Sequence, residues 1–373
     1  LVQETHPGRS PAITLESALE RDLGLDSLAR VELLLRLGRE FGAVLPEAAL
    51  GEAETPRDLL RFLVPASGPG VLGHAVPAAA PPAAIELPHG AVLTVPDAAA
   101  TLVEVLEWHV ARTPDRTHVL LYGEDGQSVA ITYADLLRAA RGIAAGLAAR
   151  GLLPQQAVAL MLPTGRDYLA CFFGILLAGG IPVPIYPPAR LSQIEDHLKR
   201  HARILDNAQA VFIITVPQAK TVAALLSARV SSLAGIVTPE EIAAAPVALH
   251  YRAFPDDIAF LQYTSGSTGD PKGVVLTHAN LLANLRAMGS AFRVTSEDVF
   301  VSWLPLYHDM GLIGAWLGSL YFAMPLVLMS PLAFLARPSR WLQAISRHRG
   351  TLTAAPNFAY ELCAKKLDDA DLA

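Results

Sequence analysis

The sequence predicts an α/β protein with largely parallel sheets flanked by helices, preceded by a small all-α helical bundle. Helical and strand-like apolar patterns alternate from residue 101 to residue 264, which is typical of parallel sheets. A helical pattern occupies the first sixty residues, and a segment rich in Pro and Ala separates the two parts. With 52% hydrophobic and 17% charged residues, the 373-residue chain can bury a sizeable core.

The domain boundaries follow from these changes in composition. Residues 1–64 are the predicted helical unit, residues 65–98 a linker, and residues 99–373 the α/β unit. A Pro-rich segment extends by about 3.1 Å per residue, so a linker of this length reaches on the order of 90 Å. The two flanking units are therefore expected to meet in many orientations.

An apolar helical period begins in the first unit directly after Asp26 and Ser27, with Leu28, Val31 and Leu34. Ser27 is therefore predicted at the N-terminus of a helix, where serine commonly caps the backbone. Period and position alone favour this ordinary capping role.

The α/β unit contains its predicted elements in a regular order. An amphipathic helix at 101–116 is followed by a short strand with an Ala-rich helix at 131–151. A buried strand at 157–163, a helix at 168–180, and strands at 181–186, 208–216 and 258–264 come next.

Two uncharged stretches, residues 168–189 and 310–336, are long enough to span a bilayer. Prolines interrupt both, so each is predicted to be a buried helix followed by a buried strand and not a membrane span.

Charge and cysteine content exclude several other classes of protein. The net charge of -6 offers no basic face for nucleic acid or an anionic membrane. Cys171 and Cys363 lie far apart in apolar surroundings, which predicts reduced, buried thiols in a cytoplasmic protein and no disulfide or metal cluster. Residues 1–20 lack the pattern of a signal peptide.

Residues 263–278, "YTSGSTGDPKGVVLTH", combine glycines, hydroxyl side chains and one lysine after a predicted strand. Glycines let backbone N–H groups converge on an anion, hydroxyls add donors, and Lys272 adds a point charge. Composition taken alone favours an ordinary surface turn, because Ser, Thr and Gly cluster in many loops. The P-loop pattern of nucleoside triphosphatases is absent here, because Lys272 follows a proline and precedes a glycine.

This segment closely resembles the signature of the adenylate-forming superfamily of AMP-dependent synthetases and ligases. The resemblance implies that a carboxylate attacks the α-phosphate of ATP, that pyrophosphate leaves, and that acyl-AMP remains bound. It further implies that Lys272 and Mg²⁺ stabilise the developing charge, and that the loop residues hold the ATP phosphates. These residues are Thr264, Ser265, Gly266, Ser267, Thr268, Gly269 and Lys272.

Two later motifs indicate which class of carboxylic acid is activated. "PLYHDMGLIG", from Pro305, and "TAAPNFAYELC", from Thr353, resemble motifs of fatty-acyl-AMP ligases, which pass the acyl group to a carrier protein. The resemblance implies a catalytic role for His308, together with Lys272, and substrate contacts for His308, Gly311 and Phe358. Residues alone favour His308 as an ordinary hydrogen-bonded core histidine. The aspartate typical of amino-acid activation is absent from "APNFAY".

"LGLDSLARVEL", from Leu23, resembles the modification site of acyl and peptidyl carrier proteins. The resemblance implies that a phosphopantetheinyl transferase attaches 4′-phosphopantetheine to Ser27, whose thiol accepts the acyl group in cis or in trans. Two departures are evident. The first carrier helix is largely missing, and Arg30, Arg36 and Arg39 occupy a helix that is commonly acidic.

The adenylate-forming resemblance runs from about residue 100 to the end of the chain. The motifs for adenine and ribose, the Mg²⁺-binding glutamate and the small C-terminal domain would come later, so no metal ligand is assigned here. We therefore expect a fragment of a multidomain synthetase that is inactive alone. Two alternatives to a fatty-acyl-AMP ligase stay open: an acyl-CoA synthetase and a noncatalytic carrier and docking protein.

Overall fold

The structure is a computed structural model that describes residues 92–367, apart from 124–126, 187–193, 244–250 and 265–270, together with Leu87 and parts of residues 13–63. The chain forms two compact units, which are described separately. The smaller comprises Leu1–Ala80, Pro188–Ile204 and Thr264–Lys272, and the larger Pro81–Pro187, Leu205–Tyr263 and Gly273–Ala373.

The smaller unit contains helix α1, Pro56–Leu63. Thr55 and Asp58 cap its start, because the Thr55 N–H donates to Asp58 Oδ2 over 3.1 Å and the Asp58 N–H to Thr55 Oγ1 over 3.3 Å. Leu59 on this helix is buried, as are Leu19, Leu23 and Leu25. Ser27, the predicted attachment site, lies outside the described residues, as does its helix N-terminus.

The rest of the chain mixes strands and helices, and between Leu102 and Thr264 they alternate largely as the sequence predicts. The strands are β1 Thr117–Tyr122, β2 Ser128–Thr132, β3 Ala157–Met161, β4 Ile181–Pro184, β5 Phe212–Thr215, β6 Gly235–Val237, β7 Ile258–Thr264, β8 Lys272–Thr277, β9 Phe300–Ser302 and β10 Leu326–Met329. The helices are α2 Leu102–Arg112, α3 Tyr133–Ala149, α4 Arg166–Leu177, α5 Ile194–Asn207, α6 Lys220–Ser227, α7 Pro239–Ile242, α8 His278–Phe292, the π-helix Met310–Leu317, α9 Gly318–Tyr321, α10 Pro331–Ala336, α11 Ser339–Arg347 and α12 Asn357–Lys366.

Two four-stranded sheets and one strand pair carry this architecture. The first sheet has the order β2-β1-β10-β9, with β2 antiparallel and the other pairs parallel. The second has the order β4-β3-β5-β6 and is parallel throughout. All residues of β3, β4, β5 and β10 are buried, as expected of strands covered on both faces. Strands β7 and β8 pair with each other.

Helices α3 and α4 approach closely in the core of the larger unit. A Cβ atom on Gly174 would lie 2.5 Å from Ile143 Cγ2 and 3.0 Å from the Ala140 carbonyl oxygen, so only glycine fits this crossing. A capping box begins α3, because the Asp135 N–H donates to Thr132 Oγ1 over 3.1 Å while Asp135 accepts from the Thr132 N–H. The core cluster combines residues of both sheets with residues of these helices.

The predicted α/β class and its largely parallel sheets are confirmed. Both uncharged stretches are a buried helix followed by a buried strand, α4 with β4 and the π-helix with β10. Within the described residues no helix has both the length and the hydropathy needed to cross a bilayer. Two predicted ends are corrected: α2 stops at Arg112 because Pro114 follows, and α3 stops at Ala149, two residues before Gly151, whose φ of 85° suits glycine.

Candidate active site

His308 and Asp309 form a polar turn directly before the π-helix. His308 Nδ1 lies 2.7 Å from Asp309 Oδ1, and their side chains are 33% and 63% exposed. The hydrogen bond from His308 is the largest of the causes that lower the pKa of the Asp309 carboxyl. The same carboxylate oxygen accepts the Met310 N–H over 2.7 Å, so Asp309 caps the helix while its carboxylate lies against the imidazole.

The π-helix itself is unusual, since such helices are rare and often occur at functional sites. It spans eight residues, of which Gly311, Leu312, Ala315, Trp316 and Leu317 are buried. The His308 carbonyl accepts the Leu312 N–H over 2.8 Å, which joins the polar turn to the helix.

Gly311 is fixed by a close backbone approach. A Cβ atom at this position would lie 2.3 Å from the Pro305 carbonyl oxygen and 2.9 Å from that of Leu304. The first turn of the π-helix therefore packs directly on the segment that leads to His308, and only glycine allows this contact.

Two long-range hydrogen bonds hold the same segment from other elements. Tyr168 on α4 donates its hydroxyl to the Leu306 carbonyl over 2.7 Å, and Gln262 on β7 donates Nε2 to the Tyr307 carbonyl over 3.0 Å. Both donors are buried. Because both partners are backbone carbonyls, these bonds fix the path of the chain into His308.

Tyr307 adds an aromatic side to this site. Its ring centroid lies 5.9 Å from that of Tyr186, and burial, followed by the neighbouring Tyr186, raises the pKa of its phenol to about 12. Tyr307 therefore keeps its proton at neutral pH and can act only as a neutral hydrogen-bonding group or an aromatic surface.

Phe358, predicted to contact substrate, lies in a buried aromatic cluster. Its ring centroid is 5.9 Å from that of Trp303, which stacks on Phe334 at 4.1 Å and meets Trp341 edge-on at 6.3 Å. Phe358 is 3% exposed. It thus stabilises the position of Trp303, five residues before His308, and presents almost no surface to solvent.

The predicted phosphate loop is described only at its two ends. Thr264 ends β7 and Lys272 begins β8, and both are exposed, whereas Ser265, Gly266, Ser267, Thr268 and Gly269 lie outside the described residues. A Cβ atom on Gly273 would lie 2.9 Å from Cζ of Tyr263. Gly273 therefore leaves room for the tyrosine ring beside the strand that Lys272 opens.

The structure brings His308 and Gly311 together at one turn and places Phe358 next to Trp303. Sequence reasoning missed Tyr168, Gln262 and Asp309, which hold that turn. A signal was present for two of them, since Tyr168 and Gln262 are polar side chains inside apolar runs, "YLACFFG" and "IAFLQY". Buried polar groups of this kind need hydrogen-bond partners.

Comparison with known proteins identifies the family. Residues 106–373 match the family described as AMP-binding enzyme, and residues 8–63 match the family described as phosphopantetheine attachment site. A medium-chain-fatty-acid–[acyl-carrier-protein] ligase of Teredinibacter turnerae is 33% identical over 312 residues, 73% of this chain and 48% of that protein. A long-chain-fatty-acid–AMP ligase of Mycobacterium marinum is 37% identical over 233 residues, 59% of this chain and 39% of that protein.

A solved structure agrees with these relatives. The crystal structure of a fatty acid AMP ligase from Legionella pneumophila matches 73% of this chain and 47% of its own, with 33% identity and a TM-score of 0.65. The chain thus spans about half the length of these proteins or less. Since the AMP-binding match covers most of the chain and agrees with the α/β architecture, the protein belongs to the AMP-binding enzyme family, and its residues 8–63 match the phosphopantetheine attachment site.

Proposed function

We propose that this chain belongs to a ligase that activates a fatty acid with ATP and transfers the acyl group to the 4′-phosphopantetheine thiol of a carrier protein. The observation that carries the proposal is the presence, on one chain, of an AMP-binding match and a phosphopantetheine attachment match. Two of the similar proteins are ligases whose names specify medium-chain and long-chain fatty acids, which supports a fatty acid as the substrate.

The proposed reaction has two steps. A fatty acid carboxylate attacks the α-phosphorus of ATP, and the bond to the pyrophosphate oxygen breaks, which leaves acyl-AMP. The sulfur of the acceptor thiol then attacks the acyl carbon. A C–S bond forms, the C–O bond to AMP breaks, AMP leaves with that electron pair, and the thiol proton passes to solvent. In the first step negative charge grows on the departing pyrophosphate, so fixed donors around it stabilise the transition state more than the ground state.

The phosphate-binding role is proposed for Thr264, Lys272 and the five residues 265–269. The two described members are compatible with it, because both are exposed polar side chains at the ends of paired strands. Mg²⁺ would accompany the ATP phosphates. No group of three or more His, Cys, Asp or Glu side chains forms a metal site among the described residues, and the proposal assigns no protein ligand to the metal.

The acyl-carboxylate end of the site is proposed at His308 and Gly311. Asp309 Oδ1 lies 2.7 Å from Nδ1 of the imidazole, and the close contact of Gly311 with Pro305 holds the turn. His308 is accordingly a proposed catalytic residue that orients the carboxylate for attack. The role proposed for Phe358 is limited to packing behind Trp303 in the wall of the acyl-carboxylate site, since its side chain is buried.

Ser27 is proposed as the residue modified by a phosphopantetheinyl transferase. The arm attached there would supply the thiol that accepts the acyl group, from the same chain or from another. A linker of some thirty residues raises the effective concentration of the thiol when transfer is in cis. We place the protein in the cytoplasm, where ATP is abundant and the buried thiols of Cys171 and Cys363 stay reduced.

Fatty-acid-dependent exchange of labelled pyrophosphate into ATP tests the first step in the gene product that contains residues 1–373. We expect exchange with fatty acids and none with amino acids, and a loss on the order of a hundredfold in Lys272→Ala, as for a group that stabilises developing charge. Arg252→Ala is a matched control, because it removes an exposed cation outside the loop. Exchange unchanged in Lys272→Ala would overturn the phosphate-binding role.

The acceptor is tested separately with coenzyme A, free carrier protein and the phosphopantetheinylated chain. Acyl transfer to Ser27 in cis, abolished in Ser27→Ala while exchange persists, supports the proposal. Transfer to coenzyme A alone would identify an acyl-CoA synthetase, and no activation at all would leave a carrier and docking protein.

A further inference from the structure

A stack of three buried rings lies beneath the π-helix. Tyr133 on α3 is sandwiched between His109 on α2 and His118 on β1, with ring centroids 4.5 Å and 5.0 Å apart and interplanar angles of 11° and 17°. The indole N–H of Trp316, on the π-helix, donates to His118 Nε2 over 3.1 Å. All four side chains are buried completely. None of these residues takes part in the proposed chemistry.

The indole bond requires one form of the His118 ring. Nε2 must present a lone pair, so the ring is neutral and its proton lies on Nδ1. Burial keeps it neutral, because desolvation, followed by the nearby His109, lowers the pKa of His118 to about 3. Burial likewise lowers the pKa of His109 to about 4, against the opposing effect of the Leu320 and Tyr321 carbonyls on α9.

Packing alone does not explain a histidine at this position. Among the described residues, His118 Nδ1 and the Tyr133 hydroxyl are buried without a hydrogen-bond partner. A buried unpaired group costs about 1–3 kcal/mol, and an apolar side chain would avoid that cost. What the histidine supplies and an apolar side chain could not is a hydrogen-bond acceptor, Nε2, for the indole N–H of Trp316.

Trp316 connects this stack to the turn that carries His308. Its indole packs edge-on against Phe172 at 5.4 Å, Phe173 at 5.6 Å and Tyr168 at 6.4 Å, all on α4. Tyr168 in turn donates to the Leu306 carbonyl, two residues before His308. Trp316 therefore belongs to the helix that begins after His308 and contacts the tyrosine that holds the chain before His308.

We propose that His118 is a positioning residue: through the Trp316 indole it fixes the rotation of the π-helix and so places His308, beside Asp309, for contact of its imidazole with the acyl carboxylate. This inference rests on the proposed function. His118 does not touch the reacting atoms, and its effect is carried by one hydrogen bond and the packing of one indole ring. Loss of that bond lets the helix rotate, and a displacement near 1 Å at a reacting group can lower the rate about a hundredfold.

The test compares three single variants and one double variant in the gene product that contains residues 1–373, by fatty-acid-dependent pyrophosphate exchange. His118→Leu removes the acceptor, Trp316→Phe removes the donor, and His118→Gln restores an acceptor oxygen at similar reach. We expect kcat to fall on the order of tenfold or more in the first two, with little change in the KM for ATP. We expect His118→Gln to keep most of the wild-type kcat. The double variant His118→Leu with Trp316→Phe should have a kcat no lower than that of Trp316→Phe alone.

Tyr122→Phe is the matched control, because Tyr122 lies on the same strand and its hydroxyl is bonded to His348 Nε2 over 2.7 Å and not to the π-helix. If His118 had a purely structural role, Tyr122→Phe would lose as much kcat as His118→Leu and Trp316→Phe, and His118→Gln would not restore kcat. That result would overturn the inference. Wild-type protein without exchange would instead reject the proposed function. Should His118→Leu fail to fold, Trp316→Phe and His118→Gln decide: full activity of Trp316→Phe contradicts the inference.

Discussion

Gly311→Ala is the sharpest test of how the turn at His308 is built. The added methyl carbon would lie 2.3 Å from the Pro305 carbonyl oxygen and 2.9 Å from that of Leu304. Contacts of carbon with neighbouring heavy atoms are favourable near 3.5 Å, so relief needs a shift on the order of 1 Å. Both obstructing atoms belong to the backbone, and no side-chain rotation can provide that shift.

Two opposing effects determine how far Gly311→Ala changes the free energy of unfolding. Overpacking costs about 1–3 kcal/mol, whereas alanine gains about 1 kcal/mol over glycine in a helix. We therefore expect Gly311→Ala to lower the free energy of unfolding by up to about 2 kcal/mol. A larger effect is expected on activity, because a displacement near 1 Å at His308 can lower kcat about a hundredfold.

Gly314→Ala supplies the control in the same helix. A Cβ atom there meets nothing within 4 Å, so this variant should be as stable as wild type or more stable, by up to about 1 kcal/mol. Urea unfolding followed by tryptophan fluorescence measures stability, and fatty-acid-dependent pyrophosphate exchange measures activity. Equal stability and activity of the two variants would refute the close packing of the π-helix on Pro305.

Three further predictions concern the anchors of the fold. Tyr168→Phe removes the hydroxyl that donates to the Leu306 carbonyl over 2.7 Å and should cost about 1–3 kcal/mol in urea unfolding; unchanged stability and kcat would contradict its anchoring role. Thr132→Ala removes the cap of α3 and should lower the free energy of unfolding by about 1 kcal/mol without a selective loss of kcat. The pKa of His118, about 3, lies below its ordinary 6.5, so the unfolded state binds more protons between these values, and the unfolding free energy should fall as pH drops from 6.5, by up to about 1.4 kcal/mol per unit. His118→Gln should make that pH dependence shallower, and an unchanged slope would show that the ring is not buried in its neutral form.

The sequence alone was sufficient to predict the class of fold and most of the helices and strands. Continuous apolar runs such as "AVALM" and "FIIT" became fully buried strands, because a strand covered on both faces needs no polar side. The family was also accessible, since a phosphate loop and a carrier motif are local patterns. The prediction of buried thiols is confirmed for Cys171 and Cys363.

Other features of the site escaped sequence reasoning for identifiable causes. The apolar run from Met310 indicates a buried helix, but it has no polar face whose spacing could distinguish a π-helix from an α-helix. The roles of Ser27 and of residues 265–269 stay predictions, as do the domain boundaries.

The sequence by itself thus determined the α/β alternation, the buried strands and the family motifs, all of which depend on residues close together in the chain. Only the tertiary structure decided what holds His308. Tyr168 is 138 residues from Leu306, and Trp316 is 198 residues from His118. Such contacts follow from how sheets and helices pack, and a hydrogen bond between distant residues leaves no periodic trace in either local sequence.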